Sequence, residues 1–278
     1  AGPGGPRLRA LVREAGRAAL PEGVEVVEAD LLRPQTLAPA MAGMEVVVHA
    51  AAVTADRPER PPGLYDLVNR GGTGHLVAAA REAGVRRLVV MSGLGTQPAP
   101  PGTYMATRWG MEEAARASDI PHVILRPSVL FGRGAPFTAA LARLARRTPV
   151  LPLPGAGVGF QPLWVEDLVT CLVQSLTREE VLGRALPLGG AERLTFAQVA
   201  GAVCAAMGLR RPVVPVPLPL ARLQARLMAA ALPNPPLTPA ALELFSFENS
   251  TRLDAVESTF GFRPRGLSAH LREHGLEG

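Results

Sequence analysis

Aromatic residues make up only 4% of this 278-residue chain. They are not interleaved with its arginines, so a stacking platform for bases is excluded and nucleic acid is not an expected partner. Cysteine is scarcer still. Cys171 and Cys204 have neither a disulfide-like nor a metal-like spacing, which fits two buried small hydrophobes and a reducing, cytoplasmic setting. The longest apolar runs fall well short of the roughly 20 residues that span a bilayer. No Ser-His-Asp order and no paired carboxylates point to hydrolysis, and His49, His75 and His122 lack ligand spacing, so no metal site is expected.

What is present describes a globular protein. Hydrophobic residues are 47% and charged ones 19%, enough for one large domain or two closely joined ones. The net charge of +5 is spread along the amphipathic stretches rather than gathered in one patch, and reads mostly as solvated helix faces.

From Leu8 to Gly132, short β-branched runs alternate with alanine-rich amphipathic stretches, which is the pattern of a parallel α/β fold. The strands are expected at RLRALVR, VEVVEAD, MEVVVHAAA, RRLVVMSG and HVILRPS. Helices are expected at PQTLAPAMAG, NRGGTGHLVAAAREAG and TYMATRWGMEEAARASD. After Gly132 the texture turns to proline-rich loops and short helices. This divides the chain into a nucleotide-binding unit at 7–132 and a smaller substrate-binding unit at 133–278, with some strands of the second returning to the sheet.

The opening AGPGGPRLRALVREAG holds glycines without a phosphate loop. Such a loop follows a buried strand and opens a helix, whereas Gly2, Gly4 and Gly5 have no strand before them and a strand-like run after them.

Taken together, EADLLRPQTL, VVVHAAAV, VNRGGTGHLVAAAREAGVRRLVVMSGLG, YMATRWGMEE, ILRPSVLFG and FQPLWVEDLV resemble the extended and atypical short-chain dehydrogenase/reductases. Within them the chain looks closest to the branch of the complex I accessory nucleotide-binding subunit. The resemblance runs from about Leu8 to about His270. It implies a doubly wound Rossmann-type α/β fold with a small C-terminal substrate domain. It also implies that the first βα unit, about 30 residues carrying the first strand and glycine turn, is absent, and a partial sequence is the expected reason. In the usual strand order that strand is central, so its absence leaves two unpaired edges.

The resemblance and the residue types together name candidate sites. Arg13, at a strand end where an acidic residue would bind the ribose of NAD, suits the 2′-phosphate of NADP, so NADP(H) is expected over NAD(H). By resemblance Asp30 and Leu31 would contact the adenine, although Asp30 also suits a capping role. Ala50, Ala51 and Ala52 are small enough to admit a cofactor to the backbone. Asn69 is expected at a helix N-cap beside the cofactor. Arg126, Pro127 and Ser128 fall where the family contacts the nicotinamide.

Tyr104 and Arg108, at i and i+4, share a helical face. They match the family's Tyr-x-x-x-Lys pair, in which the tyrosine moves a proton and the cation lowers its pKa and binds ribose. Arginine in place of lysine changes reach and geometry. Ser92 and Thr96 are candidates for the hydroxyl that polarises substrate oxygen, although the family places it slightly later, where this chain has Gly93 and Leu94. Gln161 and Trp164 are expected to border a substrate cleft, Trp164 through core packing rather than ligand stacking, with Asp167 capping the helix that follows.

Leu220, Leu223, Leu227 and Met228 form one helical face expected to be buried, with Arg222 and Arg226 beside it. The same basic helix, near 220–232, fits an anionic membrane surface or a protein partner. The resulting expectation is an NAD(P)(H)-binding oxidoreductase or epimerase-type scaffold with a weakened catalytic motif, acting on a small molecule. The alternative is a non-catalytic accessory or assembly subunit of a respiratory-type complex, in the cytoplasm or at the inner face of a membrane.

Overall fold

The structure is a computed structural model that describes residues 5–17 and 19–276. Gly2 and Gly4 of the opening lie outside them, and Gly5 sits in a bend ahead of the first strand. The elements run β1 (Arg9–Val12), β2 (Glu25–Glu28), α1 (Leu37–Met41), β3 (Val46–His49), α2 (Gly72–Glu82), β4 (Arg87–Met91), α3 (Tyr104–Arg116) and β5 (His122–Pro127). They continue with β6 (Leu130–Phe131), α4 (Pro136–Arg147), β7 (Leu151–Pro154), β8 (Gly159–Phe160), β9 (Leu163–Trp164), α5 (Val165–Ser175) and β10 (Ala185–Leu188). The last are β11 (Leu194–Thr195), α6 (Phe196–Ala206), β12 (Val213–Val216), α7 (Leu218–Ala231), α8 (Pro239–Glu243), α9 (Ala255–Phe260) and α10 (Leu267–His274).

The central sheet is parallel, in the order β3-β4-β5-β10. Its middle strand explains the layering. Leu88, Val89 and Val90 of β4 are fully buried, as expected of a strand covered on both faces. Leu88 and Val90 point with Ile124 towards Leu37, Met41, Leu76 and Ala80 of α1 and α2. Val89, Val123 and Leu125 point the other way, to Leu168 and Cys171 of α5 and Val256 and Phe260 of α9. This is a doubly wound α/β fold, and each fully buried aliphatic side chain contributes about 2 kcal/mol. A further cluster joins Phe160, Phe196 and Val199 to Leu141, Leu151 and Leu267, under the small strand pairs β7–β12 and β8–β11.

β1 and β2 form a separate parallel pair. Among the described residues no strand joins β1 to β3, so the two edges expected to be unpaired are unpaired. Packing holds the pair in place instead: Val27, Ala29 and Leu31 share one cluster with Val47, Leu88 and Val90. Arg9 adds two bonds from Nη1 to the carbonyls of Ala40 and Ala42, at 2.8 and 3.0 Å. Near the open edges Leu11 and Val48 remain 36% and 40% exposed.

Two expectations about helices are corrected. Asn69 does not cap α2, because a π-helical turn over Asp66–Gly71 runs into the helix without a break and places Asn69 inside it. The leucines of α7 are not its buried face. Ala221 and Ala225 are buried instead, against Leu242, Val216 and Leu237. Two small residues let the α7 backbone approach closely, which turns Leu220, Leu223 and Leu227 outward at 58%, 56% and 63% exposure.

Candidate active site

The C-terminal end of β4 and the first two turns of α3 bring four of the expected residues together. The Thr103 hydroxyl caps α3 by accepting from the Ala106 amide at 3.2 Å. A second cap, a carboxylate, comes from α8, where Glu243 accepts from the amides of Tyr104 and Met105 at 3.2 and 3.1 Å. An anion at a helix N-terminus is favoured by the exposed amides and the helix dipole. Tyr104 is therefore fixed at the first position of α3. Its ring packs edge-on to Tyr65, with centroids 5.2 Å apart, and against Ala55 and Ala240.

Arg108 follows one turn later. Its guanidinium carbon lies 5.8 Å from the Tyr104 ring centroid, and the group rests on the backbone of Gly93. A Cβ built on Gly93 would meet Nη2 at 1.8 Å and Cζ at 2.4 Å. The sequence contains no lysine at all, so no other side chain can supply the ammonium of the family pattern.

Ser92 and Thr96 stand beside this pair, but their hydroxyl protons are committed. Ser92 Oγ donates to Glu112 at 2.6 Å, and Thr96 Oγ1 donates to the Gly93 carbonyl at 2.7 Å. Each hydroxyl has a single proton to give, and without substrate both protons are engaged in these bonds. Glu112 was not singled out from the sequence. It is fully buried and holds three groups: Ser92, Arg126 through Nε and Nη2 at 2.8 and 2.5 Å, and Arg116. Burial alone would raise its pKa, but the bonds from Arg126, Ser92 and Arg116 outweigh that and hold it below the ordinary carboxylate value. The signal was an i,i+4 row, Tyr104, Arg108, Glu112 and Arg116, alongside the buried stripe Thr107, Met111 and Ala115.

The cofactor candidates divide. Ala50, Ala51 and Ala52 leave the end of β3 exposed, with nothing larger than a methyl group to block an approach. Arg13 is exposed at the end of β1 and pairs with no carboxylate among the described residues. Asp30 does not cap the next helix: its Oδ1 accepts from the Leu32 amide at 2.9 Å in a local turn, while the following helical turn and α1 begin at Arg33 and Thr36 without a side-chain cap. Leu31 leans on Gly72, where a Cβ would come within 2.9 Å.

Other placements differ from expectation. The Asn69 amide ties the segment after β3 to the helices, accepting from the Val53 amide at 2.7 Å and donating to the Val53 carbonyl at 3.0 Å. Arg126 is taken by Glu112. Ser128 is buried and donates to Asn249 at 2.7 Å, while the carbonyl of Pro127 anchors the Leu94 amide at 2.9 Å.

Gln161 does not border a cleft. It is buried, donating to the Gly190 carbonyl at 2.7 Å and accepting from the Thr251 amide at 2.8 Å. Trp164 is likewise structural, packed on Gly132 and under the Arg265 guanidinium at 5.1 Å. Asp167 accepts from the Arg265 amide at 2.7 Å rather than capping its own helix.

Tyr104, Arg108, Ser92 and Thr96 thus meet at the C-terminal end of β4, and Ala50–Ala52 lie at the end of the neighbouring strand β3. Among the described residues no glycine turn opens a helix between β1 and β3, so no pyrophosphate grip is assigned.

Comparison with known proteins shows the family. Residues 3–142 match the family described as NAD(P)H-binding, and the chain belongs to that family. It is 35% identical over 160 residues to the ceramide reductase of Caulobacter vibrioides, covering 58% of this chain and 49% of that protein. The chain thus spans about half of that relative's length. It is 26% identical over 258 residues to the NAD(P)H azoreductase of Xenophilus azovorans, covering 91% of this chain and 82% of that one. The Citrobacter sp. triphenylmethane reductase complexed with NADP(H) has the same fold, with a TM-score of 0.74 at 20% identity over 95% of this chain and 89% of that chain. The scaffold is an NAD(P)H-binding one. These relatives are reductases, and the placement beside a complex I subunit is not supported.

Proposed function

We propose that the protein is an NADPH-dependent reductase of a small organic acceptor, with Tyr104 as proton donor and Arg108 as the cation beside it. The observation that carries this reading is the placement of Tyr104 and Arg108 on the first turns of α3, over Gly93 at the C-terminal end of β4. The relatives named as ceramide, azo and triphenylmethane reductases agree with it in reaction type. The dinucleotide would supply the hydride. The chain's own residues would seat it across Ala50–Ala52, keep α3 fixed through Glu243, and deliver a proton from Tyr104 Oη.

Preference for NADPH over NADH rests on the exposed Arg13, whose guanidinium suits a 2′-phosphate. Calorimetric titration of both dinucleotides tests the cofactor. NADPH should bind more tightly by about tenfold, a difference of about 1.4 kcal/mol, and Arg13→Ala should remove the difference. Equal affinities in the parent protein would refute the preference. For catalysis, Tyr104→Phe should lower NADPH-dependent turnover of a quinone or azo acceptor by about 100-fold or more while leaving NADPH affinity intact. Unchanged turnover would remove Tyr104 from the mechanism.

The outward leucines of α7 favour a surface role beside the catalytic one. Leu220, Leu223 and Leu227 share the helix with Arg222 and Arg226, and Leu218–Ala231 contains no acidic residue. This combination suits an anionic lipid surface, with the leucines in the interface and the arginines at the headgroups. α7 also packs on α8, whose Glu243 caps the helix bearing Tyr104. No helix among the described residues is long and apolar enough to cross a membrane. Sedimentation with phosphatidylcholine vesicles, with and without phosphatidylglycerol, tests the contact. Binding only to the anionic vesicles, lost in Leu223→Ser/Leu227→Ser, is expected. No binding, or a concentration-dependent dimer abolished by the same double variant, would assign the face elsewhere.

A further inference from the structure

We propose that Arg108 is an anion receptor for the substrate, seated where a hydroxyl-bearing side chain would otherwise stand, and does not act as a substitute lysine on the ribose. The inference rests on the reductase reading above and names the class of acceptor it takes.

Four observations carry it. First, Gly93 is required by the guanidinium. Gly93 is not among the glycines with positive φ, so its backbone would accept a side chain, yet a Cβ there would lie 1.8 Å from Nη2 of Arg108. The glycine is the slot into which the guanidinium fits. Second, Ser92 and Thr96 have given their protons to Glu112 and to the Gly93 carbonyl, so no free hydroxyl donor is left at the end of β4.

Third, Arg108 has no hydrogen-bond or ion-pair partner among the described residues. The nearest carboxylate in its row, Glu112, is already saturated by Arg126, Arg116 and Ser92. Fourth, this unpaired cation is partly buried beside the Tyr104 ring. A permanently charged group with five donors, partly withdrawn from water and unpaired, sits in a site made for an anion.

The chemistry follows from that donor set. When hydride enters the acceptor, the electron pair of its double bond moves onto the distal oxygen or nitrogen. The N–H groups of Arg108 receive that developing charge, as oxyanion-hole donors do, and the proton from Tyr104 Oη completes the reduction. The favoured acceptors are therefore quinone-, enone- or azo-type conjugated systems whose terminal heteroatom becomes anionic, or acceptors that already carry a carboxylate.

Benzoate and its neutral isostere benzamide are the probes, titrated calorimetrically into the protein with and without NADPH. Benzoate should bind at least about tenfold more tightly than benzamide, a charge-assisted bond being worth more than 1.4 kcal/mol. That preference should vanish in Arg108→Gln and equally in Gly93→Ala. The second substitution leaves the arginine in the chain and displaces only the flexible end of its side chain, so the variant keeps its fold. NADPH affinity should stay within about twofold in both variants.

Equal binding of the two probes by the parent protein overturns the proposal. So does an Arg108→Gln variant that loses NADPH affinity while keeping the benzoate preference, since the arginine would then be doing the lysine's work. Because the probes are also titrated without cofactor, failure to bind NADPH counts against the reductase reading and leaves the anion site to be judged on the benzoate result.

Discussion

His49 closes β3 with its ring buried and Nε2 2.9 Å from Thr73 Oγ1. Burial pushes its pKa down to about 4. In the unfolded chain the same ring titrates near its ordinary value of about 6.5. The folded state therefore binds fewer protons in between, so the stabilisation is complete above pH 6.5 or so and is lost as the pH falls towards 4. The loss amounts to about 3 kcal/mol over that window. Urea midpoints measured from pH 7 to pH 4 should show it, and His49→Gln should flatten the curve between the two pKa values. A parallel decline in the variant would place the acid sensitivity elsewhere.

Glu112 is the other residue whose charge the fold depends on. Glu112→Gln removes the carboxylate shared by Arg126 and Arg116, whose side chains are 22% and 35% exposed, so water takes up part of the loss and the cost is about 1 to 3 kcal/mol. Urea denaturation measures that loss directly. A change below about 1 kcal/mol would mean that solvent already screens the cluster.

At the scale of elements, the start of α3 is where the C-terminal part of the chain reaches the candidate site. Glu243 of α8 caps Tyr104 and Met105, and Ala240 packs on the Tyr104 ring. Thr238 at the N-cap of α8 also donates to the Ala55 carbonyl, so α8 is pinned to the segment after β3. Glu243→Gln should lower stability by about 1 kcal/mol, read by urea unfolding, because a neutral amide meets the helix dipole less well than a carboxylate. No change would mean that the Thr103 cap suffices.

The helices and strands of the central sheet were legible because their signals are local. LVVM of β4 is a continuous apolar run, and TYMATRWGMEEAAR has both a threonine N-cap and a helical stripe. The orientation of α7 was not legible. A leucine stripe and an alanine stripe both satisfy helical periodicity, and only the close approach of Leu242 and Val216 decides which is covered. Tyr104, Arg108 and Ser92 were recognisable as a group. Their bonds were not, because Glu112 and Glu243 reach them only through the fold, from the far turn of α3 and from 139 residues along the chain.

Across the whole molecule, the sheet is in two pieces that share a hydrophobic cluster but, among the described residues, no ladder of backbone bonds. β1–β2 is a two-stranded pair with its outer edge open, and such a pair has little stability of its own. β4 and β5, by contrast, are flanked by strands and covered on both faces. Local opening should therefore be uneven. In hydrogen exchange, the amides of 9–12 and 25–28 should exchange at least about tenfold faster than those of 87–91 and 122–127. The residues proposed for the dinucleotide lie on both pieces: Arg13 and Asp30 on the β1–β2 side, Ala50–Ala52 and the Tyr104–Arg108 pair on the other. A ligand that touches both pieces couples them, so saturating NADPH should slow exchange in β1 and β2 selectively. At 100 times its Kd it should add about 2.7 kcal/mol to the stability of whatever it orders. Slowing confined to β4 and α3 would mean that only the nicotinamide end is held. Uniform exchange without cofactor would mean that the packing of Val27, Ala29 and Leu31 joins the two sheets as firmly as a shared strand.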